Sequence, residues 1–332
     1  MRETFLVWFE NLGFLKDFRF ELSPQAFFIG GKPIAWYGII ICVGIICAYL
    51  LSSRKATRLE GLSCDDFLDY VLFTVPIGIV GARLFYVIPC LDQYPDFWSA
   101  IAIWNGGLAI TGGIVFGIGT IVAVSLVKKK SFLKVLDAVA PGVLLAQAIG
   151  RWGNFFNGEV FGVETGLPWA MSLQIRGAEY LNRHPLFLYE CLLNLVGFAL
   201  IFAFYKKKRF DGQHAFFYLF WYGTVRSLLE PLRDATYQLT VKVFGLEILF
   251  SQLITLACAF VGLAALIGGF VWAARHKEYA VVLGPGREKP KKGAPQPQSE
   301  AAAQPQADTQ TETDTQPQTC EEKETSDDTQ DS

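Results

Sequence analysis

Seven stretches of roughly twenty mostly apolar residues recur along this chain, and that length allows one helix to cross a lipid bilayer. Of the 332 residues, 52% are hydrophobic and only 18% are charged, which excludes an ordinary soluble domain. The sequence therefore predicts an all-α integral membrane protein, folded as a bundle of seven transmembrane helices. The predicted spans lie near residues 33–53, 67–89, 106–127, 134–152, 186–205, 213–229 and 248–274.

Basic residues in the connections between these spans predict the orientation of the bundle. They gather after the first span, between the third and fourth, and after the fifth, and loops rich in lysine and arginine stay in the cytoplasm. The N-terminus is therefore predicted outside and the C-terminus in the cytoplasm. The basic residues are Arg54, Lys55, Arg58, Lys128, Lys129, Lys130, Lys134, Lys206, Lys207, Lys208 and Arg209.

Both ends of the chain differ from its apolar middle. Residues 1–32 mix aromatic with charged residues, without the pattern of a cleavable signal peptide. They indicate either an arm on the outer membrane surface or a lid over the transmembrane body. Residues 284–332 are rich in Pro, Gln, Thr, Glu and Asp, which predicts a disordered cytoplasmic tail. Residues 33–275 form the predicted functional domain.

The sequence contains no residue pattern that indicates a metal site. The three histidines, His184, His214 and His276, lie far apart, and the seven cysteines include no C-x-x-C pair. Most of the cysteines fall within apolar spans, where they behave as small hydrophobic residues. We therefore expect no metal.

The most informative polar residues end the fourth span, in Gly150-Arg151-Trp152-Gly153-Asn154-Phe155-Phe156-Asn157-Gly158-Glu159. A charged side chain near the bilayer centre costs about 2.5–3.5 kcal/mol on insertion scales, so it needs a partner, a cavity or a function. Arg151 could simply extend to the interface. Its glycine and asparagine neighbours are expected to open the backbone, which is tolerated at membrane depth only beside protein or a wet cavity, and this favours function.

A second polar pattern follows the sixth span. Spacings of four, four and three place Tyr222, Arg226, Glu230 and Arg233 along one helical face. Glu230 between two arginines indicates a structural ion-pair ladder, and Pro231 is expected to end or kink the helix. We expect a functional role for Arg226, because the face carries one positive charge more than its acid can balance. That excess suits an anion such as a lipid phosphate.

The remaining polar residues in the spans allow structural interpretations. Asp137 is expected to pair with Lys134 or to act as a charge at a helix N-terminus. Arg83 is expected to be buried and paired, and Glu190 must be paired or protonated. A lone histidine such as His184 at the start of a span more often forms a hydrogen bond than acts as a base. The glycine pairs at 106–107 and 112–113 indicate close helix approach or a broken helix.

Under the predicted topology the polar candidates fall in the outer half of the bundle. Arginines, hydroxyls and amides below an interface suit capture of a phospholipid head group and transfer of part of it. A transporter or lipid flippase is the competing class, but the chain shows no internal repeat. A phosphatidyl-alcohol transferase would need clustered aspartates for a metal, which the spans lack. The candidates are Tyr37, Thr111, Arg151, Asn154, Glu159, His184, Tyr222, Arg226 and Arg233.

The segment from Gly150 to Gly162 closely resembles the signature of the prolipoprotein diacylglyceryl transferase family, and the resemblance spans roughly residues 33–275. Supporting matches are Trp36-Tyr37-Gly38, Gly81-Ala82-Arg83, Asn105-Gly106-Gly107, Asp137-x-x-Ala140-Pro141, Arg183-His184-Pro185 with Tyr189-Glu190, and Tyr222-x-x-x-Arg226-x-x-x-Glu230-x-x-Arg233.

The resemblance implies an enzyme of the bacterial cytoplasmic membrane. It would move the diacylglyceryl group of phosphatidylglycerol onto the lipobox cysteine of a prolipoprotein signal peptide, releasing glycerol 1-phosphate. The implied partners are these substrates and membrane lipids, with no nucleic acid and no cofactor. By position, Arg151 would bind the phosphate, Arg226 would stabilise the leaving phosphate, and Tyr37 and Tyr222 complete the catalytic set. The implied substrate-binding residues are Arg151, Asn154, Asn157, Glu159, Gly162, Arg233 and His184.

One position departs from the family pattern. Members commonly carry a histidine immediately before the second Gly-Gly of the third span, where it is a candidate for assisting cysteine deprotonation, and this chain has Thr111 there. Threonine is no comparable base at neutral pH. Our hypothesis is that nearby positive charge favours the substrate thiolate. The alternatives are help from His184 or Tyr37, or a diverged and inactive relative.

Overall fold

The computed structural model of the chain describes residues 4–9, 19–103, 106–175, 181–237, 240–243 and 246–276. Contacts divide the chain into two units, Met1–Arg287 and Glu288–Ser332. The predicted tail at residues 284–332 lies outside the described residues, so only the first unit is considered below.

Long apolar helices dominate the described part of the chain. Six helical segments are long and apolar enough to cross a membrane, which confirms a multi-pass membrane protein. Helix α7 has 17 residues, at the lower limit of about 17 for a span, so the seventh span stays a prediction. The helices are α1 Trp36–Lys55, α2 Cys64–Val87, α3 Phe97–Ile101, α4 Ile110–Val127, α5 Phe132–Asn157, α6 Leu186–Phe204, α7 Gln213–Leu229 and α8 Phe250–Arg275.

Helix α5 is central, because it packs against α1, α6 and α7, while α2 packs on α4 and α7 on α8. Glycines allow the closest of these contacts. A side chain at Gly112 of α4 would collide with the backbone carbonyl of Gly81 in α2, and one at Gly223 would meet the backbone of α8. Close packing drives helix association in lipid, where apolar surface gains nothing by burial. The close-approach interpretation of the α4 glycines is therefore confirmed.

The prediction of an all-α protein is wrong in one respect, because the described residues include eight short β-strands. All belong to the N-terminal segment or to the connections α5–α6 and α7–α8, whose backbone groups need partners outside helices. Four strands form an antiparallel sheet in the order β2-β1-β5-β6, and the others form the hairpins β3–β4 and β7–β8. The strands are β1 Phe5–Trp8, β2 Phe20–Leu22, β3 Gln25–Ile29, β4 Lys32–Ala35, β5 Met171–Ile175, β6 Leu181–Arg183, β7 Thr240–Val243 and β8 Leu246–Leu249.

The described part of the N-terminal segment packs on the body of the protein. Strand β1 pairs with β5, and its Phe5 and Val7 join a buried cluster with Phe161, Met171 and Phe187. This packing supports the lid interpretation for strand β1. The domain boundary at residue 32 remains a prediction.

Consecutive long helices run in opposite directions, which defines two ends of the bundle. We call the end where α1 begins and α5 ends the site end, and the opposite one the far end. At the far end Lys208 is fully buried, with its Nζ 2.6 Å from Glu60 Oε2 and 2.7 Å from Asp137 Oδ2. The expected pairing of Asp137 with Lys134 is wrong. The Asp137 carboxylate also accepts hydrogen bonds from the first amides of α7, at Gly212, His214 and Ala215.

Candidate active site

A cavity of about 700 Å³ lies between α1, α2, α4, α5 and α7. Its wall is polar at the site end and apolar towards the far end, where Ile45, Val71, Val139 and Val143 line it. Six of the predicted polar residues contribute to the wall. They are Tyr37, Arg151, Asn154, Tyr222, Arg226 and Arg233. The structure therefore brings these six together from three helices and one connection.

Helix α5 carries Arg151 and Asn154, and it remains intact through the glycine-rich segment. It ends at Asn157, where Gly158 adopts a left-handed conformation with φ 60°. The expectation that glycines open the backbone around Arg151 is therefore wrong, and the predicted span end at residue 152 is five residues early. Instead, the glycines leave space for the Tyr37 ring and for the cavity. A Cβ on Gly153 would lie 2.7 Å from the ring of Tyr37, whereas Gly150 faces open space on the cavity wall.

Five charged side chains form one continuous arginine–glutamate network at the cavity. Glu190 of α6 bridges two helices, because it pairs with Nη2 of Arg151 and lies 3.0 Å from Nη1 of Arg226. Glu230 Oε2 then lies 2.9 Å from Arg226 Nη2 and 3.5 Å from Arg233 Nη1. The predictions that Glu190 is paired and that Glu230 stands between two arginines are confirmed.

The carboxylates of this network are buried, and the arginines are not. The Glu190 and Glu230 side chains are 4% and 1% exposed, against 22% for Arg151 and about half that for Arg226 and Arg233. Three arginines and two glutamates give the network a formal charge of +1. Each carboxylate holds the guanidinium groups beside it, and all three arginines line the cavity. The network can therefore hold an anion with fixed geometry.

Asn154 connects the cavity wall to a second polar group. Its Nδ2 donates to Glu159 Oε1 at 3.3 Å, and Asn157 Nδ2 donates to the same oxygen at 3.2 Å. Asn157 and Glu159 are not among the described residues that line the cavity. The structure therefore places these two behind Asn154, where they orient its amide.

Gly162 is the point where three segments meet behind Arg233. Gly162 N donates to His184 O at 3.1 Å and Val163 N donates to Leu232 O at 2.9 Å, so Gly162 and Arg233 form a short β-bridge. A side chain at Gly162 would collide with the Cβ of His184 and approach Leu232 O to 2.9 Å. Gly162 thus packs tightly against the backbone on either side of its bridge with Arg233.

Of the two residues considered as alternative bases, Tyr37 lines the cavity, whereas His184 is not among the described residues that line it. Nδ1 of His184 lies 3.2 Å from the hydroxyl of Tyr189, which accepts a hydrogen bond from Trp169 Nε1. Burial lowers the pKa of His184, which favours the neutral imidazole. Thr111 is exposed in the first turn of α4. His184 therefore forms a hydrogen bond, as expected for a lone histidine at a helix start.

Arg83 has a structural role, in agreement with its predicted burial. It is 6% exposed and donates to four backbone carbonyls of the α2–α4 connection. The acceptors are Ser99 O at 3.1 Å, Ala100 O at 2.6 Å, Gly106 O at 2.5 Å and Gly107 O at 2.9 Å. The positive φ angles of Gly106 and Gly107, 83° and 75°, let two of these carbonyls turn towards the arginine.

Sequence reasoning missed one polar residue on the cavity wall, Gln147, and did not predict which arginines Glu190 contacts. Gln147 lies four residues before Arg151 on the same face of α5, a spacing that could have revealed it. Its Nε2 donates to Tyr218 OH at 2.8 Å, while its Oε1 has no hydrogen-bond partner among the described residues. Glu190 was recognised as paired, but its link to both Arg151 and Arg226 depends on helix packing.

Comparison with known proteins decides the family. The family model described as prolipoprotein diacylglyceryl transferase matches residues 24–268. The chain belongs to this family. The predicted enzyme class is thereby confirmed, since the family is one of diacylglyceryl transferases.

Individual relatives agree with the family match. Three bacterial proteins named phosphatidylglycerol–prolipoprotein diacylglyceryl transferase are similar over most of their length. The protein of Finegoldia magna is 39% identical over 244 residues, covering 73% of this chain and 93% of the relative. That of Lactobacillus delbrueckii subsp. bulgaricus is 42% identical, covering 65% and 82%, and that of Streptococcus uberis is 36% identical, covering 74% and 95%.

Proposed function

We propose that this prolipoprotein diacylglyceryl transferase moves the sn-1,2-diacylglyceryl group of phosphatidylglycerol to the lipobox cysteine of a prolipoprotein. The names of the relatives support both substrates. The observation that carries the proposal is the cavity itself, which joins three arginines at one end to an apolar wall at the other. Such a cavity suits an anionic phospholipid, with its phosphate at the arginines and acyl chain along the apolar wall.

The reaction is a displacement at the glycerol carbon that bears the phosphate. The cysteine sulfur attacks this carbon, the carbon–oxygen bond to phosphate breaks, and a thioether forms. Glycerol 1-phosphate leaves with the electron pair of the broken bond, and the thiol proton is released. Negative charge therefore grows on the departing phosphate, and fixed guanidinium groups in a water-poor cavity stabilise it.

The arginines divide these tasks in our proposal. Arg151 binds the phosphate of phosphatidylglycerol, and Arg226 stabilises the same phosphate as it leaves. Glu190 contacts both guanidinium groups and so sets their relative position. Arg233 adds a third cation at the cavity wall.

The uncharged site residues orient the substrates. Tyr37, Tyr222 and Asn154 contribute hydroxyl and amide groups to the cavity wall. Asn157, Glu159, Gly162 and His184 act on substrate binding through the wall residues. Positive charge at the site favours the thiolate form of the substrate cysteine, which takes the place of a dedicated base.

The membrane arrangement is part of the proposal. The protein spans the bacterial cytoplasmic membrane seven times, with the N-terminus outside and the C-terminal tail at residues 284–332 in the cytoplasm. The site end then faces outward, where the cysteine of a translocated signal peptide arrives. The basic residues of the connections α1–α2, α4–α5 and α6–α7 all lie at the far end and support this orientation.

Mass spectrometry of a lipobox peptide tests the reaction. The peptide is incubated with purified protein and phosphatidylglycerol, beside the variants Arg151→Ala and Arg58→Ala, the latter an exposed arginine at the far end. We expect a diacylglyceryl-cysteine mass with the unchanged protein and with Arg58→Ala, and a loss with Arg151→Ala. No modification by a correctly folded protein would reject the transferase and favour a lipid transporter.

A further inference from the structure

A second cavity lies at the far end of the bundle and shares no lining residue with the first. This far-end groove, about 450 Å³ in volume, runs between α6, α7 and α8. Its apolar wall is formed by Leu200, Ile201, Phe204, Phe217, Leu266 and Phe270. On α6 and α7, the nearest groove residues, Leu200 and Phe217, are separated by about ten residues, or roughly 14 Å along each helix axis, from Glu190 and Arg226 of the arginine–glutamate network.

Two cations stand at the rim of this groove. The Lys207 Nζ lies 5.2 Å from the ring centre of Phe204, and the Arg209 Cζ lies 5.9 Å from that of Phe270. Both basic side chains are exposed, and within the described part of the chain neither forms an ion pair. The groove thus combines an apolar wall with two cations whose charge is not neutralised by any carboxylate of the described residues.

The residue between these two cations holds them in place. Lys208 has an extended backbone, with φ −58° and ψ 132°, and its side chain is fully buried against Glu60 and Asp137. Lys207 is the last residue of the 3-10 turn Tyr205–Lys207, which Lys208 follows. The buried ion pairs of Lys208 anchor this segment, and the residues on either side of it, Lys207 and Arg209, both line the groove.

The N-terminus of α7 does not compete for an anion at this place. The amides of Gly212, His214 and Ala215, which would otherwise attract one, already donate to the carboxylate of Asp137. An anion at the groove must therefore be bound by the side chains of the rim.

We propose that the far-end groove binds an anionic phospholipid as a structural ligand, distinct from the lipid that reacts. The phosphate lies between Lys207 and Arg209, and one acyl chain lies along the apolar wall of α6, α7 and α8. Charge complementarity selects an anionic over a zwitterionic head group, because two unneutralised cations meet a net negative charge. The site is independent of the transfer reaction.

Native mass spectrometry of the full chain in detergent measures this binding. The protein is titrated with dioleoyl phosphatidic acid and, separately, with dioleoyl phosphatidylcholine of identical chains. The double variant Lys207→Gln/Arg209→Gln is compared with Lys129→Gln/Lys206→Gln, which removes the same charge from exposed far-end positions outside the groove wall. Leu200→Trp fills the groove without changing charge. Each variant is also made in an Arg151→Ala background, which weakens lipid binding at the active site.

The expected result is a preference for phosphatidic acid that Lys207→Gln/Arg209→Gln weakens by roughly tenfold to thirtyfold, since each basic residue near an anionic lipid contributes about 1 kcal/mol. Leu200→Trp weakens it as well, Lys129→Gln/Lys206→Gln leaves it unchanged, and the pattern persists with Arg151→Ala. An equal loss in both double variants would show general surface charge and overturn the proposal. Equal binding of phosphatidylcholine would show ordinary surrounding lipid and also overturn it.

Discussion

The arginine–glutamate network and the far-end cluster of Lys208, Glu60 and Asp137 are both buried groups of ion pairs between helices. They differ in what surrounds them. In the far-end cluster all three side chains are at most 1% exposed, whereas the arginines of the network line a cavity of about 700 Å³. Buried charge in a membrane protein therefore indicates a reaction site only where part of it faces open space.

The two groups also differ in how fully their hydrogen bonds are used. Burial alone would lower the pKa of Lys208, but Asp137 and Glu60 outweigh it and raise the pKa, so the lysine stays charged. Glu60 also accepts a hydrogen bond from Tyr205 OH at 3.0 Å, and Asp137 accepts three amides of α7. The far-end cluster is thus a closed clamp between α5 and α7.

The largest effect on folding is expected for Lys208→Met. The change leaves Glu60 and Asp137 as neighbouring buried carboxylates, and breaking a buried pair in this way costs about 3–5 kcal/mol. The thermal unfolding midpoint in detergent should fall on the order of 10 °C. Adding Glu60→Gln should restore part of the loss, and Lys206→Met at an exposed neighbour should change little. A midpoint unchanged by Lys208→Met would mean that the clamp is not structural.

Arg226→Gln should give the opposite outcome, with a large loss of activity and a small loss of stability. Removing one preorganised donor to developing charge typically lowers kcat about 10²–10³-fold. Glu190 keeps Arg151 and Glu230 keeps Arg233, so no buried carboxylate loses its last cation. Transfer kinetics and the unfolding midpoint are measured together, with Arg58→Gln as the matched variant. A stability loss as large as that of Lys208→Met would erase the distinction between the two groups.

The effects of Gly153→Ala on activity and stability should fall between those of Lys208→Met and Arg226→Gln. The added Cβ meets the ring of Tyr37, and such overpacking costs about 1–3 kcal/mol. Because Tyr37 lines the cavity, activity should fall more than stability does. Gly268→Ala in α8 is the control, since its Cβ meets nothing within 4 Å. Unchanged transfer kinetics in Gly153→Ala would indicate that the position of Tyr37 is not critical.

Most of the helical fold follows from the sequence, because apolar stretches of the length of a membrane span have few alternatives. The predicted bounds agree with α6 and α7 within one residue. The end of α5 was missed because glycine and asparagine favour helix ends locally, whereas packing of Gly153 against Tyr37 keeps the helix intact. The β-strands were missed because they are only three to five residues long, and β1 pairs with β5, which lies more than 160 residues later in the chain.

The site was predictable where it depends on spacing within one helix. The repeat of four placed Arg226 beside Glu230, and the structure shows them 2.9 Å apart. The link from Arg151 through Glu190 to Arg226 joins three helices, so it depends on how each is rotated about its axis. One sequence contains no direct information about that rotation.

Asp234→Asn tests a partly exposed ion pair at the site end, where Asp234 binds Arg183 behind Arg233. Hydrogen bonds from Thr236 and Arg183 lower the pKa of Asp234 from 3.8 to about 2. This contribution to stability is complete above about pH 4 and is lost as the pH falls through 2. It should amount to about 1 kcal/mol, because solvent screens the pair. The difference in unfolding midpoint between the protein and Asp234→Asn should vanish at low pH, and a constant difference would contradict this assignment.

His184→Ala should have the smallest effect on the chemical step. It tests whether arginine charge or a histidine base promotes deprotonation of the substrate thiol. If arginine charge favours the substrate thiolate, no base of the protein contributes to the pH profile of kcat. Removing His184 should therefore leave that profile unchanged. The KM for phosphatidylglycerol should rise modestly, since His184 supports the backbone beside Gly162 and Arg233. Tyr189→Phe, which removes only the hydroxyl partner of His184, serves as the control. A large loss of kcat that follows the titration of an imidazole would instead assign proton transfer to His184, and the arginines would then act on the leaving phosphate alone.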